Sequence, residues 1–189
     1  SLFSFFISLF LALLLIRYGT VPPEKLPQLE LPGGVTARLL SGPLGDVTGP
    51  FETVQPLQMI DFVIRGGVAV EHEVPVDLDN AMVYVYCGSA VVVGATAEWA
   101  LDTHDVARLR ADNPAQRGLV LRAGADGASI MLFAGKRLNQ PVAWHGPFVM
   151  TTDDEIRDTI RSYRLGQFPP KRVPWDYKRL AAFPSEARK

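Results

Sequence analysis

The sequence predicts an all-β domain, an antiparallel sandwich or barrel, closed by one amphipathic helix. Three observations predict it. Short Val-rich runs recur between Met59 and Ala134, parted by glycine turns at Gly66-Gly67, Gly88 and Gly124 to Gly127. The chain carries 16 glycines and 15 prolines in 189 residues, a content that favours many strands and turns. Only the stretch after Thr152 has an apolar period of helical spacing together with helix-terminal signals. At 48% hydrophobic residues, the length suits one globular domain with extensions and a real core.

The elements follow in order. Thr20 to Leu31 is proline-rich and reads as an extended linker, because proline fixes φ and removes a donor. Pro32-Gly33-Gly34 is a turn, Val35 to Leu40 a strand, and Ser41 to Pro50, with three glycines and two prolines, a loop. Met59 to Ile64 and Val68 to Val74 are strands, the first ended by Gly66-Gly67 and the second near Pro75. Asp77 to Asn80 is a turn. Ala81 to Cys87 is a strand of β-branched and aromatic residues closed by Gly88. Ala90 to Ala95 is the next, and its continuous apolar character implies burial on both faces. Ala107 to Arg110 adds a short strand. Gly118 to Ala123 and Ala128 to Ala134 follow, split by a turn at Gly124 to Gly127.

Thr152-Asp-Asp-Glu155 has the form of a capping box, a threonine cap with glutamate three residues on. Asp153, Asp154 and Glu155 suit the helix N-terminus, Arg161 and Arg164 its C-terminus, and Gly166 its stop. Ile156, Ile160 and Tyr163 form an apolar stripe that needs a partner surface, most simply the outside of the barrel. There is no internal repeat and no low-complexity segment.

The formal net charge of −1 hides an asymmetry: nine basic and three acidic residues lie between Arg157 and Lys189, so that stretch carries +6 and the rest −7. Such a split can steer acidic partners to one end, although a solvated helix face and a loose terminus are the better explanation. The single cysteine, Cys87, excludes an internal disulfide and favours a reducing compartment; on its strand it reads as a small buried apolar residue. Ser1 to Ile16 is apolar and uncharged, yet shorter than the roughly 20 residues a spanning helix needs. It lacks the basic start and cleavage site of a signal peptide, which leaves a membrane anchor or a gene-model artefact.

Several segments together resemble pirins, members of the cupin superfamily. Ala134-Gly-Lys-Arg-Leu-Asn-Gln-Pro141 and Gly146-Pro-Phe-Val-Met150, leading into the final helix, resemble the closing segment of the pirin second domain. Arg17-Tyr18 with Pro27 to Gly34 resembles the interdomain linker. Leu40 to Pro50 resembles the loop that opens the second cupin, and Ala81 to Gly88 its central strand. The resemblance runs from Arg17 to Phe168. It implies a cupin double-stranded β-helix, a jelly-roll barrel with one C-terminal helix. The expected organisation is an apolar segment (1–16), a Pro/Gly-rich linker with the first strands (17–56), the barrel with its helix (57–168) and a basic tail (169–189).

The resemblance also bears on metal. Pirins hold iron in their first domain, so the cofactor expectation for this chain is none. Cupin sites use a His-x-His pair, a carboxylate a few residues on and a later histidine; strand alternation lets the pair reach one ion. Anchored on Gly88, the family spacing puts the pair at Val74 and Val76 and the carboxylate at Asn80, with no later histidine near Ala123 to Ile130. Valine cannot coordinate. The actual histidines are scattered. In Glu71-His72-Glu73, alternation sends both glutamates to one face and His72 to the other, a solvated outer face and a satisfied histidine. His104 reads as a loop residue that could join Asp102 and Asp105 in an adventitious site, and His145 as a turn residue. The expected catalytic, cofactor-binding and metal residues are therefore none.

No phosphate loop, nucleophile elbow or paired cysteine occurs. Trp175-Asp-Tyr-Lys-Arg179 interleaves aromatic and basic residues, but its neighbouring prolines favour an extended arm over a nucleic-acid surface. The leading expectation is a metal-free second cupin with a structural or co-regulator role, in nucleus or cytoplasm, meeting protein partners, with self-association through exposed domain-interface surface. One rival is the remnant of an iron-dependent quercetin dioxygenase-like enzyme; another is a membrane-anchored binding module using residues 1–16.

Overall fold

The structure is a computed structural model, and it describes residues 21–53, 55–94, 97–110 and 117–168. The apolar segment 1–16 and the tail from Pro169, including Trp175 to Arg179, lie outside the described residues. Two compact units are present, Val21–Leu138 and a second whose described part is 139–168.

The first unit is built from β1 (Gln28–Leu31), β2 (Val35–Ser41), the two-residue strands β3 (Pro43–Leu44) and β4 (Val47–Thr48), β5 (Leu57–Ile64), β6 (Ala69–Glu73), β7 (Asn80–Val93), β8 (Glu98–Leu101), β9 (Val106–Arg110) and β10 (Gly118–Gly135). All pairs are antiparallel, on the path β1-β2-β5-β10-β7-β8, with β6 on β10 and β9 on β7. Because β2 pairs β5, the residues before and after position 56 share one sheet. The first half of β10 pairs β6 and the second half of β7, which carries β8. Its second half pairs β5 and the first half of β7, which carries β9. Two long strands are thus shared by the two faces of one sandwich.

This corrects the expectation that glycine ends these strands. Ala81–Cys87 and Ala90–Ala95 are not separate strands but parts of β7 as far as Val93, and the turn at Gly124 to Gly127 is a bulge inside β10. Glycine bends the pair instead of breaking it. Gly88 and Gly127 have φ of 75° and 90°, and a Cβ on Gly88 would lie 2.1 Å from the Gly127 carbonyl oxygen. The register shifts between Ala123 and Ala128 at this point. Burial on both faces of the second half of β7 is also only partial: Ala90 and Val92 are buried, Val91 and Val93 half-buried.

The linker expectation is corrected as well. Pro23–Lys25 forms one 3-10 turn, which Pro22 and Pro23 favour because their fixed φ suits a helical start. Gln28–Leu31 then pairs with Val35–Arg38 around the turn at Pro32 to Gly34, with Leu29 and Leu31 packed on the core. Strict alternation in β2 buries Val35, Ala37, Leu39 and Ser41. Phe62 is the largest fully buried side chain, among Leu39, Ile60, Leu121, Ile130 and Leu132.

In the second unit, β11 (Ala143–His145) and β12 (Phe148–Met150) form a hairpin that packs against α1 (Asp153–Arg164). The hairpin itself was not expected from the sequence. Both halves of the capping box are made: the Glu155 amide donates to Thr152 Oγ1 at 3.2 Å, and the Thr152 amide donates to Glu155 Oε2 at 3.0 Å. The Thr151 hydroxyl, donating at 2.6 Å, leads the bonds that hold the Glu155 carboxyl below its usual range. Gly166, with φ of 70°, stops the helix. Ile156 is buried, Ile160 half-buried and Tyr163 61% exposed, so the stripe tapers along the helix. Its sheet partner within the unit is the hairpin, where the Phe148 ring meets Tyr163 at 5.7 Å. Thr152→Ala should cost about 1 kcal/mol, speeding exchange of the first-turn amides about five-fold; unchanged exchange rates would refute the cap's role.

Candidate functional site

The interior of the first unit is apolar except for a short polar chain. β5 presents Ile60, Phe62 and Ile64 inward, and Gln58 lies on that same face. β6 presents Val70 and His72 inward, while Glu71 and Glu73 are exposed, as alternation requires. His72 Nε2 lies 2.9 Å from Gln58 Oε1, and Gln58 Nε2 donates to the Pro43 carbonyl at 2.5 Å. A carbonyl can only accept, so the Gln58 amide nitrogen must face Pro43 and its oxygen must face His72. His72 therefore carries its proton on Nε2. Burial, with Phe62 ring-to-ring at 5.9 Å, lowers the His72 pKa from 6.5 to about 4. At the end of β2, the buried Ser41 hydroxyl donates to the Phe51 carbonyl at 2.7 Å. Together these bonds hold the Gly42–Thr48 hairpin from within.

The β6–β7 connection holds the three positions that family spacing assigns to metal. Val74 is 3% exposed in an apolar cluster with Leu78, Ala81 and Ala134. Val76 is 79% exposed and projects to solvent. Asn80 is exposed at the start of β7. The three positions do not converge, and two of them carry no donor atom. Arg117, 7% exposed, closes this loop: its Nε donates to the Val74 carbonyl at 2.8 Å, and Nη2 donates to the carbonyls of Pro75 and, at 2.5 Å, Leu78. A buried guanidinium beside the loop also opposes a second cation there. These residues do not fit a metal ion.

The remaining candidates scatter. His104 has φ of 78° in the turn from Asp102 to Asp105, where Asp105 Oδ2 accepts from the Asp102 amide at 2.8 Å. That carboxylate is shaping a turn. His145 is exposed at the end of β11, opposite Phe148. Among the described residues no group of three or more His, Cys, Asp or Glu could hold a metal ion. Cys87, expected to be buried, is exposed: the bulge next to Gly88 places it on the outer face. It lines a groove of about 280 Å³ with Thr36, Val63, Arg65, Asp126 and Ser129. On the same face, Arg38 pairs with Asp61 at 2.5 Å, and the Tyr86 hydroxyl donates to Asp61 at 2.8 Å. Burial, then the bond to Asp61, raises the Tyr86 phenol above its ordinary pKa. Gln58 and Arg117 were missed in the sequence. A polar residue in register with inward Ile60 and Phe62 was the available signal for Gln58; a lone arginine ahead of a strand offers none.

The model of the pirin C-terminal cupin domain matches residues 59–169. The chain belongs to the pirin family. A Pseudomonas aeruginosa protein named "Putative quercetin 2,3-dioxygenase" is 31% identical over 156 residues, covering 79% of this chain and 52% of its own length. Human pirin is 26% identical over 148 residues, covering 78% of this chain and 49% of its own. The solved structure of a quercetin 2,3-dioxygenase from Acinetobacter baumannii superposes with a TM-score of 0.71 at 26% identity, covering 81% of this chain and 51% of that one. The chain thus has the cupin fold, and it spans about half the length of the curated relatives it matches.

Proposed function

We propose that this chain is a metal-free cupin barrel that works through its surface, as the structural and regulatory half of a pirin-like protein. The observation that carries the reading is the filling of the ligand positions: Val74 packed in an apolar cluster, Val76 turned to solvent, and the Arg117 guanidinium tied into the loop between them and β7. Non-haem oxygen chemistry needs an open metal position held by histidine and carboxylate, and these side chains supply neither. The barrel then serves as a rigid body for protein partners, transcription factors among them, in nucleus or cytoplasm. Protein purified in the presence of Fe(II) should carry far less than one iron, copper or zinc per chain and should not consume oxygen when quercetin is added. One tightly held transition metal per chain, or quercetin-dependent oxygen uptake abolished by a chelator, would overturn it.

A second reading is favoured by the similarity to proteins named as quercetin 2,3-dioxygenases. There the chain supports an iron-bearing cupin encoded beside it. The 5′ end of the transcript tests this: an upstream open reading frame with His-x-His and glutamate at cupin spacing supports it, and a start codon close to Arg17 removes it. For the membrane-anchor reading, no helix among the described residues is long and apolar enough to cross a membrane, and segment 1–16 lies outside them.

A further inference from the structure

We propose that residues 42–49 form a flap, hinged at Gly42 and Gly49 and latched from inside the barrel through Gln58 by a neutral His72, and that acid releases it. The proposal goes beyond the surface-acting reading above and does not depend on it. Among the described residues, β3 and β4 form a two-stranded sheet of their own, paired with no strand of the eight-stranded sheet. The base of the flap is fixed: the Phe51 amide donates to the Leu40 carbonyl at 3.0 Å, and the Ser41 hydroxyl donates to the Phe51 carbonyl at 2.7 Å. Gly42, at φ of 76°, takes a conformation that a residue with a side chain adopts only under strain. Beyond the hinges, Leu44 and Val47 lie half-buried against the core, and the Pro43 carbonyl accepts from Gln58 Nε2 at 2.5 Å. Gln58 is 1% exposed, so that bond comes from the interior.

The inner end of the latch titrates. His72 Nε2 donates to Gln58 Oε1 at 2.9 Å, which turns the Gln58 amide nitrogen toward Pro43. A second proton would go on Nδ1 and set a charge in the apolar interior beside Phe62. The groups around the ring do not offset it. Gln58 and Phe62 face it from β5, and Leu119 lies across from it on β10. Glu71 and Glu73 are exposed on the opposite face of β6, and Asp61 of β5 is paired with Arg38 on the outside. Arg117, two residues before Leu119, is itself a cation and commits its guanidinium to the β6–β7 connection. The added proton is therefore accommodated only where water reaches the ring. Lifting the flap takes Pro43 off Gln58 and opens this end of the interior, so opening and protonation favour each other. The ring titrates at about 4 when buried and at 6.5 in water, so the closed state loses stability as pH falls below 6.5. Opening gains about 20-fold between pH 7 and pH 5 from this one group.

The test is amide hydrogen exchange on the full chain at pH 7 and pH 5, with and without about 1 M urea, each rate divided by that of an unstructured peptide at the same pH. Gly49, whose amide donates to the Gly42 carbonyl at 3.0 Å, reports the flap, because so short a hairpin keeps no structure once it leaves the barrel. Leu132, in the middle of β10 between β5 and β7, reports global unfolding. In wild type, Gly49 should lose about 20-fold of its protection between pH 7 and pH 5. It should stay far less protected than Leu132 and be insensitive to urea, since the opening exposes little surface. His72→Gln still donates to Gln58 but does not titrate, and should hold the protection of Gly49 within about two-fold over the same range. Protection of Gly49 that is independent of pH in wild type, or a loss that persists in His72→Gln, would overturn the proposal. So would a Gly49 that matches Leu132 in rate and urea dependence, because the loss is then global unfolding. If His72→Gln does not fold, the pH and urea dependence of wild-type Gly49 still decides.

Discussion

Arg117→Leu is expected to destabilise the barrel unit by about 3 kcal/mol, the largest single-site loss anticipated here. The guanidinium is 7% exposed and donates to the carbonyls of Val74, Pro75 and Leu78. Leucine matches the stem but leaves three inward carbonyls without this donor, and an unsatisfied buried acceptor costs about 1–3 kcal/mol. The loss should localise to the β6–β7 connection and loosen the cluster of Val74, Leu78, Ala81 and Ala134. Arg117→Lys should recover only part of it, because an ammonium keeps the charge but not the planar fork. In urea unfolding, where m is about 1–3 kcal/mol/M, the midpoint of Arg117→Leu should fall by 1 M or more. A midpoint within experimental error of wild type would show that the clamp contributes nothing.

The contrast between Arg117 and His72 shows what the residue pattern carried. Period-two alternation around Glu71-His72-Glu73 placed the histidine inward and the glutamates outward, and that is where they lie. Alternation is a local property of a strand, so it survives without knowledge of the fold. The capping box was legible for the same reason: Thr152 and Glu155 interact across a single turn. The long strands were not legible. Gly88 and Gly124 to Gly127 have the composition of turns, and only the pairing of β7 with β10 turns them into bends. Cys87 went the same way, since its exposure follows from the register shift between Ser129 and Ile130, where β7 sets an extra residue against β10. The absence of donors at Val74 and Val76 could be read directly, because side-chain chemistry does not depend on context. What ties down that loop could not. Arg117 reaches back some 40 residues to the loop it closes, and no spacing rule links the two.

Acid should weaken this protein through His72 before its carboxylates titrate. The folded pKa is lowered from 6.5 to about 4 because burial disfavours the charged ring. In the unfolded chain the imidazole takes up its proton below about pH 6.5, while in the folded barrel it stays neutral until about pH 4. Between those values the unfolded state binds more protons, so stability falls as pH falls. The slope from this one group approaches 1.4 kcal/mol per pH unit and the full loss is about 3 kcal/mol, complete below about pH 4. His72→Gln isolates the term: a glutamine amide can still donate to Gln58 Oε1, so the Gln58 bond to Pro43 has reason to persist, but it does not titrate. Unfolding free energies measured from pH 7 to pH 4 should show wild type losing about 3 kcal/mol relative to the variant. Losses from the carboxylates are common to both proteins and cancel in the difference. A difference that stays flat across this range would mean that His72 takes its proton as readily in the barrel as outside it, and the assignment of a neutral ring locked to Gln58 would fail with it.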